Sequence, residues 1–599
     1  MVVASDPRPF RFDFEPRGTL PRLALGASRG LLEDLFGLSK LSETYANIRA
    51  NRGRSSFEDA ALEELGVHWR APEADFVNVP ATGGLVVVAN HPFGGVEGLI
   101  LTTMLRRVRP DVKIMSNALL GRIPELHESQ IFVDVFGGAE AARTNAAAMR
   151  TALQWVKAGH CLAVFPAGEV SHFSIRERVI TDSPWSESIT RLIAKARATV
   201  VPVFFEGRNS RIFQAAGLVH PRLRTAMLAH EVYNKDRRDV VARIGRPIEY
   251  ERIEKLPTDA ERTAYLRLRT YILRSGLTPQ PQRRASSVDP AGMLPIAPPE
   301  TPCGILQDVA RLGEAKRLVS SGAFDVYCAE PAEIPHLLRE IGRLREVTFR
   351  AVGEGSGLPR DLDRYDDDYL HLFVWHREEQ KLVGAYRMGR TDQIISERGV
   401  KGLYTNSLFR FNERLLREMG PALELGRSFV VKEFQKTYSP LLLLWKGIAA
   451  YLVSNPRYRS LFGAVSISDD YHSMTKQLLM AFLETHERDA AMATLARPRN
   501  PPRRMRSLDI DPKLIALAAP DLKRVDQLVS EIESDGKPMP VLLRQYLKLN
   551  GKLLGFNVDP AFGNVLDGLI LVQLDRTDRA TLDKYMGRAG AATFLARGR

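Results

Sequence analysis

Short apolar runs recur along the first half of the chain, unbroken at Leu85–Ala89 and Cys161–Phe165 and with a single polar residue at 112–115, 131–135, Thr199–Phe205 and 240–244. Runs of this length, without polar alternation, predict strands buried on both faces. Between them lie stretches of helical spacing, at 140–158 and 187–198. Strand alternating with helix predicts an α/β domain. The second half has a different order. Ile334, Leu337, Leu338, Ile341, Leu344, Val347 and Phe349 follow near-helical spacing. A hairpin at His371–His376 and Leu382–Met388, a helix near 407–418, a strand at Ala422–Val430 and an apolar helix at Leu441–Val453 come after it.

Residues 276–303 are rich in Pro, Ser and Ala and have no periodicity, so they predict a linker. The expected organisation is a domain at 1–275, the linker, and a second domain at 304–599. Helix, hairpin, strand, helix resembles the acetyltransferase type of mixed α/β fold. The leading segment Leu20–Arg49 sets leucines among basic residues and reads as a helix lying on a membrane or packed on the domain.

Composition narrows the partners. Of 599 residues, 44% are hydrophobic and 26% charged, which is ordinary for a globular protein. The net charge of +13 favours an acidic partner: anionic membrane, acidic protein or nucleic acid. No zinc-ligand spacing, helix-turn-helix or aromatic ribonucleoprotein motif supports nucleic acid. Arg497, Arg499, Arg503, Arg504 and Arg506 form a cluster without an acid, read as a solvated loop or as a dock for phospholipid or an acidic carrier protein. Three cysteines make no disulfide framework, which points to a reducing cytosol. The first residues lack a signal-peptide core, and Leu441–Ser454 is too short to span a bilayer. Membrane contact is therefore expected to be peripheral, at the inner face of the cytoplasmic membrane.

Two constellations carry chemistry. Asn90-His91-Pro92-Phe93-Gly94-Gly95-Val96-Glu97-Gly98 follows the strand Leu85–Ala89. A neutral imidazole at His91 can take a proton from a hydroxyl, and Glu97 can fix its tautomer. Gly94 and Gly95 keep the turn bare for substrate. The competing reading is a structural histidine packed beside a turn. Pro166-Ala167-Gly168-Glu169 ends the strand at 161–165, and Val-Pro-Val follows at 201–203. In the second half, Arg345 and Phe349 end the first helix, Asp363 and Asp366 precede the hairpin, Arg387 lies on its second strand, and Glu424 and Arg427 sit in an apolar strand. Charges are costly to bury unpaired, so these mark a site or an internal Glu–Arg pair that fixes the sheet.

The order of histidine turn, Phe-Pro-x-Gly-Glu turn and Val-Pro-Val strand resembles the glycerolipid acyltransferase family, although that family spaces its histidine and aspartate by four residues where five precede Glu97. The second half resembles the N-acyltransferases that make lyso-ornithine lipid, and more distantly the acyl-homoserine-lactone synthases. Together the two halves resemble the bifunctional ornithine lipid synthases. That resemblance implies N-acylation of ornithine from a 3-hydroxyacyl carrier protein, with Glu424 as proton acceptor, Arg427 and Arg387 positioning carboxylate or thioester, and Asp363 and Asp366 holding the side-chain ammonium. It implies O-acylation of the resulting lyso-ornithine lipid at His91, with Glu97 orienting it, amides of the glycine turn as oxyanion donors, and Pro166, Gly168 and Glu169 holding the acceptor. Acyl carrier protein thioesters serve as donors, and no metal or redox cofactor is needed. Phospholipid-making relatives carry an arginine just after the strand matching Ile131–Asp134; here Val135 and Phe136 follow. Alternatives are a lysophosphatidic acid acyltransferase fused to another N-acyltransferase, glycine or another amino acid in place of ornithine, and a non-enzymatic haemolysin-like membrane protein.

Overall fold

The structure, a computed structural model, describes residues 10, 37–134, 139–174, 179–219, 224, 227–233, 239–275, 293–435, 439–502, 512–533 and 535–596. Most of the linker, the start of the leading segment, Val135, Phe136, Arg503, Arg504 and Arg506 lie outside them. The chain forms two compact units. The first runs to Gly276 and takes in a later segment ending at Ala518; the second comprises the rest.

The first unit is built on one seven-stranded sheet. Its strands are β1 (His68–Arg70), β2 (Leu85–Ala89), β3 (Val112–Asn117), β4 (Gln130–Val133), β5 (Cys161–Val164), β8 (Thr199–Phe205) and β9 (Asp239–Ile244); a separate hairpin joins β6 (His172–Ser174) to β7 (Val179–Thr181). The order across the sheet is β1-β9-β8-β2-β5-β3-β4. Strands β2, β3, β4, β5 and β8 run parallel, so their C-terminal ends share one edge. Every residue of β2 and β5 is buried, as the unbroken apolar runs require. Pro202 sits inside β8, where a missing N–H would normally break the ladder. The neighbouring chain leaves β9 there: the Gly245 amide donates to the Pro202 carbonyl at 2.8 Å, and a Cβ on Gly245 would come within 2.8 Å of the proline ring.

Three helices of this unit matter below: α1 (Val96–Arg106), α2 (Arg211–Val219) and α3 (Asp259–Tyr271). The leading segment becomes describable at Gly37 and forms a helix over Leu38–Asn51, with Tyr45 and Ile48 packed on Phe57 and Leu126.

The second unit carries an eight-stranded sheet in the order β10-β11-β12-β13-β15-β16-β19-β18. These are β10 (Arg317–Ser321), β11 (Phe324–Ala329), β12 (Leu370–His376), β13 (Lys381–Arg390), β15 (Ala422–Val430), β16 (Ser460–Ile467), β18 (Lys552–Asp559) and β19 (Val565–Gln573); β14 (Phe409–Phe411) and β17 (Ala496–Pro498) pair separately. All neighbours in the large sheet are antiparallel except β15 and β16. Helix α4 (Pro335–Arg350) packs Leu337 and Ile341 on Phe373, Trp375 and Phe429. Helix α5 (Ser439–Ser454) lies against β11 and β12, where a Cβ on Gly447 would meet Val326 and Leu372. No helix among the described residues is long and apolar enough to cross a membrane.

Several expectations change. The helix expected near 407–418 is split into β14 and a helix at Glu413–Met419. The turn-rich tail around Gly555–Pro560 and Asn564–Gly568 belongs largely to β18 and β19, two strands of the main sheet. Arg497 lies in a strand and Arg499 donates to the Asn406 carbonyl, so that end of the arginine cluster is not a free loop. The segment ending at Ala518 forms helix α6 (Pro512–Ala518), which packs on α3 with Leu514, Ile515 and Ala518 buried. Residues 304–599 therefore do not all serve the second unit.

Deleting a buried aliphatic side chain costs about 2–5 kcal/mol when the site cannot collapse. Ile515→Ala should lower the calorimetric transition of the first unit by several degrees and spare that of the second. A drop confined to the second transition would put α6 in the other unit.

Candidate active sites

In the first unit, β2 delivers His91 to the C-terminal edge of the parallel sheet, and α1 begins five residues later with Glu97 in its first turn. Glu97 is fully buried. Its Oε1 accepts the amides of Phe93 at 2.8 Å and Gly94 at 2.9 Å. His91 Nδ1 lies 2.8 Å from the same oxygen, off the line of an ideal hydrogen bond. Misalignment of this kind is common before substrate binds. With Nδ1 directed at Glu97, Nε2 is the nitrogen left to accept a substrate proton. The five-residue spacing is thus compatible with contact. Gly94 has φ 112°, a conformation that favours glycine, and a Cβ there would touch Leu228 at 3.0 Å. A Cβ on Gly95 would meet nothing within 4 Å, so the turn is open at that point. The expected oxyanion role needs revision for two groups: the Phe93 and Gly94 amides are already engaged by Glu97.

A second carboxylate holds the same turn from behind. Asp182 is buried; its Oδ1 accepts the His91 amide at 3.2 Å and the Ser171 hydroxyl at 2.5 Å, and its Oδ2 accepts Trp185 Nε1 at 3.0 Å. The Ser171 amide returns a bond to the His91 carbonyl at 2.8 Å. The Phe165 ring stacks on the imidazole at 4.4 Å between centroids. The Pro166–Glu169 turn is closed by the Gly168 amide on the Phe165 carbonyl, and the Ser186 amide donates to the Pro166 carbonyl. Glu169 accepts the Ser183 hydroxyl and an Arg224 guanidinium N–H at 2.5 Å. Asp182 and Arg224 carry no local sequence signal, because each is distant in sequence from the residue it serves.

In the second unit the structure gathers most of the singled-out charges into one network. Arg345, buried on α4, forks onto Asp366 with bonds of 2.8 and 2.9 Å and also reaches the Asp361 carbonyl. Arg387 donates to Asp363 at 2.7 Å and lies 3.2 Å from Asp366. Burial opposes ionisation of Asp366, but the Arg345 and Arg387 guanidiniums outweigh it and hold its carboxyl well below the usual range. His371, buried behind them, is pushed down to about 4 by burial and bonds the Asp366 carbonyl at 3.0 Å. Phe349 packs with the α4 core instead of forming part of this network. Asp366, sealed between two arginines, is poorly suited to hold a substrate ammonium, contrary to the expectation for it; Asp363 retains partial exposure.

Glu424 and Arg427 part company. Glu424 is buried and accepts the Tyr369 hydroxyl, the Tyr404 amide at 3.2 Å and the Thr405 amide at 2.5 Å. Burial raises its pKa, and its bonds tie the 404–407 turn to β15. That environment is structural, against its expected role as proton acceptor. Arg427 sits in a bulge where it and Ser428 oppose Tyr386 alone, and its φ is 53°. The bulge carries its guanidinium to Asp361 at 3.2 Å and Asp363 at 3.6 Å, over the rings of Phe562 at 4.2 Å and Tyr404 at 4.9 Å. Beside it the ladder between β15 and β16 stops after Glu424–Phe462, while each strand continues with its other neighbour. The sheet opens there.

Three carboxylates that the sequence did not mark as a site share this opening. Asp567 on β19 accepts the Ser466 hydroxyl at 2.8 Å. Burial, reinforced by the charges of Asp559 and Glu354, pushes its pKa up to about 7. Burial likewise pushes Glu354 up to about 7, and Arg427 pulls both downward. A carboxyl titrating near neutrality can accept a proton from an ammonium group. No group of His, Cys, Asp and Glu suited to a metal ion occurs among the described residues.

Residues 344–446 match the acetyltransferase (GNAT) domain family, and residues 52–279 match the family described as acyltransferase. A glycine N(alpha)-acyltransferase of Bacteroides thetaiotaomicron is 33% identical over 283 residues, 44% of this chain and 82% of its own length. This chain belongs to the same acyltransferase family. A lyso-glycine lipid O-acyltransferase of that organism is 28% identical over 227 residues, 36% of this chain and 76% of its own. The solved 1-acyl-sn-glycerophosphate acyltransferase of Thermotoga maritima aligns with 42% of this chain and 94% of its own at 16% identity, with a TM-score of 0.23, too low to support more.

For an acyltransferase, a base at His91 is a kinetic claim. His91→Ala should lower kcat for O-acyl transfer by about 10²–10⁴-fold. Glu97→Gln should lose less, because an amide oxygen still accepts the Phe93 and Gly94 amides. Unchanged turnover in a folded His91→Ala protein would exclude the histidine.

The second unit of the acyltransferase should show a pH signature. A folded-state pKa near 7 lies above that of an exposed aspartate. The associated stability is complete below the unfolded value and is lost as pH rises through about 7. Asp567→Asn keeps an acceptor for Ser466 and removes the buried charge. It should raise the melting temperature at pH 8 by more than at pH 4; an equal change at both would show that Asp567 does not titrate in this window.

Proposed function

We propose that the chain is a two-site aminolipid synthase. The second unit acylates the α-amine of an amino acid, and the first acylates a hydroxyl on the product. The observation that carries this reading is the presence in one chain of two proton acceptors suited to different nucleophiles: an imidazole–carboxylate pair at His91 and Glu97, and carboxyls near neutrality at Asp567 and Glu354.

In the second unit, an ammonium gives a proton to Asp567 or Glu354. The neutral amine attacks the carbonyl carbon of an acyl thioester, the C–S bond breaks, the protonated carboxyl gives its proton to the leaving thiolate, and the carboxylate so regenerated takes the proton that the new amide nitrogen sheds. Arg427, fixed over Phe562 and Tyr404, is placed to pair with the amino-acid carboxylate. In the first unit, His91 Nε2 takes the proton of a 3-hydroxyl as it attacks a second thioester, and Glu97 stabilises the imidazolium. The imidazolium then protonates the leaving thiolate. The donor is acyl carrier protein, whose acidic surface suits a chain of net charge +13. The lyso-lipid is met at the membrane surface.

Ornithine is the proposed amino acid. Three carboxylates near the opening, Glu354, Asp559 and Asp567, favour a substrate with a second ammonium. Glycine is the alternative, named in the relatives. A lysophosphatidic acid acceptor for the first unit is a second reading, favoured by Arg224, a cation paired with Glu169 beside the Pro166 turn that a phosphate could compete for.

Expression in a host without aminolipids, with labelled ornithine or glycine supplied, tests all of this by mass spectrometry. The expected product is a diacylated ornithine, and His91→Ala should leave the mono-acylated amide to accumulate. Label entering only from glycine would replace ornithine. New phosphatidic acid without any amide would sink the aminolipid reading.

A further inference from the structure

Among the described residues of the first unit, the exposed large apolar side chains are Val77, Leu119, Ile212, Leu218 and Leu517, and three of these lie near one edge of the sheet. Leu119, Ile212 and Leu218 are 48%, 69% and 54% exposed. Leu119 follows the C-terminal end of β3, and the other two belong to α2, which follows β8. Because β2, β3 and β8 run in the same sense, both segments leave the edge of the sheet that carries His91.

Helix α2 is pinned beside the histidine turn. Asn209, just before it, donates to the Phe93 carbonyl at 3.2 Å, and Gln214 accepts the Phe173 amide at 2.8 Å. Phe213 points inward with no exposure. Arg211, Ile212, Ala215 and Leu218 form one exposed arc at helical spacing. Single exposed apolar residues are ordinary. Here the apolar arc is joined by two exposed arginines, Arg208 and Arg211, and no acid occurs between Gly207 and Val219. An apolar strip edged by cations is the chemistry of a surface that sits at the headgroup boundary of an anionic bilayer.

We propose that α2 and its leading residue Arg208 form the membrane-docking face of the first unit, with Ile212 and Leu218 entering the acyl boundary and the arginines meeting lipid phosphates. The face would bring a membrane-held hydroxyl to the edge where His91 waits. This rests on the reading that the acceptor of the first unit is a lipid.

The test uses the full chain with vesicles of phosphatidylethanolamine and phosphatidylglycerol, read by flotation, and O-acyl transfer to a long-chain acceptor in vesicles or a short-chain soluble one. The variants are Ile212→Glu/Leu218→Glu, the milder Ile212→Ala/Leu218→Ala, and Arg208→Gln/Arg211→Gln. The glutamate pair should lower vesicle binding at least tenfold and transfer to the vesicle-borne acceptor in parallel, while transfer to the soluble acceptor changes less than twofold. The alanine pair should fall between, and the glutamine pair should weaken binding only where phosphatidylglycerol is present. Vesicle binding unchanged in the glutamate pair overturns the proposal, as does unchanged vesicle binding with a raised KM for acyl carrier protein, which would make the face a protein dock. If the parent chain acylates neither lipid acceptor, the lipid reading fails by itself, and flotation still decides the docking face.

Discussion

A carboxylate inside a protein must find donors fixed in place, and Glu97 meets that demand with its own neighbourhood. The side chain comes from the first turn of α1, the two amides from the turn before it, and the third contact from the histidine at the end of β2. Strand end, turn and helix start are therefore held by one oxygen. An aspartate placed one residue earlier would have to reach the same point from a different turn; the extra residue and the longer side chain offset each other. Asp182 repeats the device from the opposite side, fixing the backbone of His91 where Glu97 addresses its ring. Between them, the imidazole has little freedom except along the direction in which a substrate would approach.

The second unit faces the same cost on a larger scale and divides its acids into two classes. Asp361, Asp363 and Asp366 are matched to Arg345, Arg387 and Arg427 through forked and bridging contacts. Such paired acids serve as struts, and the two guanidiniums hold the Asp366 carboxyl well below its usual range. At Glu354 and Asp567 desolvation outweighs the pull of Arg427 and pushes both up to about 7. Placement of the arginines, more than the number of acids, separates scaffold from chemistry. Glu424 belongs with the scaffold, since it ties the backbone of a neighbouring turn and Tyr369 to β15, while burial still raises its pKa.

Much of the frame was legible along the chain because its signals are local. The apolar runs at Leu85–Ala89, Thr199–Phe205 and Ala422–Val430 coincide with strands, and the histidine turn lies where its glycines indicated. The less legible parts depend on distant partners. Asp182 acts on a residue 91 positions away, and Asp567 acquires its character from β16, from Asp559 at the end of β18 and from the loop at Glu354. The spacing of Glu424 and Arg427 suggested a pair, but a bulge turns the arginine toward other acids. The glycine- and aspartate-containing stretch that holds Asp567 looks like turns until β16 lies alongside it.

Helix α6 has a consequence for how the protein is made. The first unit buries Ile515 and Ala518 against its own α3, although more than two hundred residues of the other unit intervene. During synthesis at about 5–20 residues per second, the stretch from 276 to 518 takes roughly 10–50 s to appear. For that interval the apolar side of α3 has no permanent cover. The ribosome thus releases an early half whose final surface is still inside the machine, and a chaperone that shields α3 would find its window between those two moments.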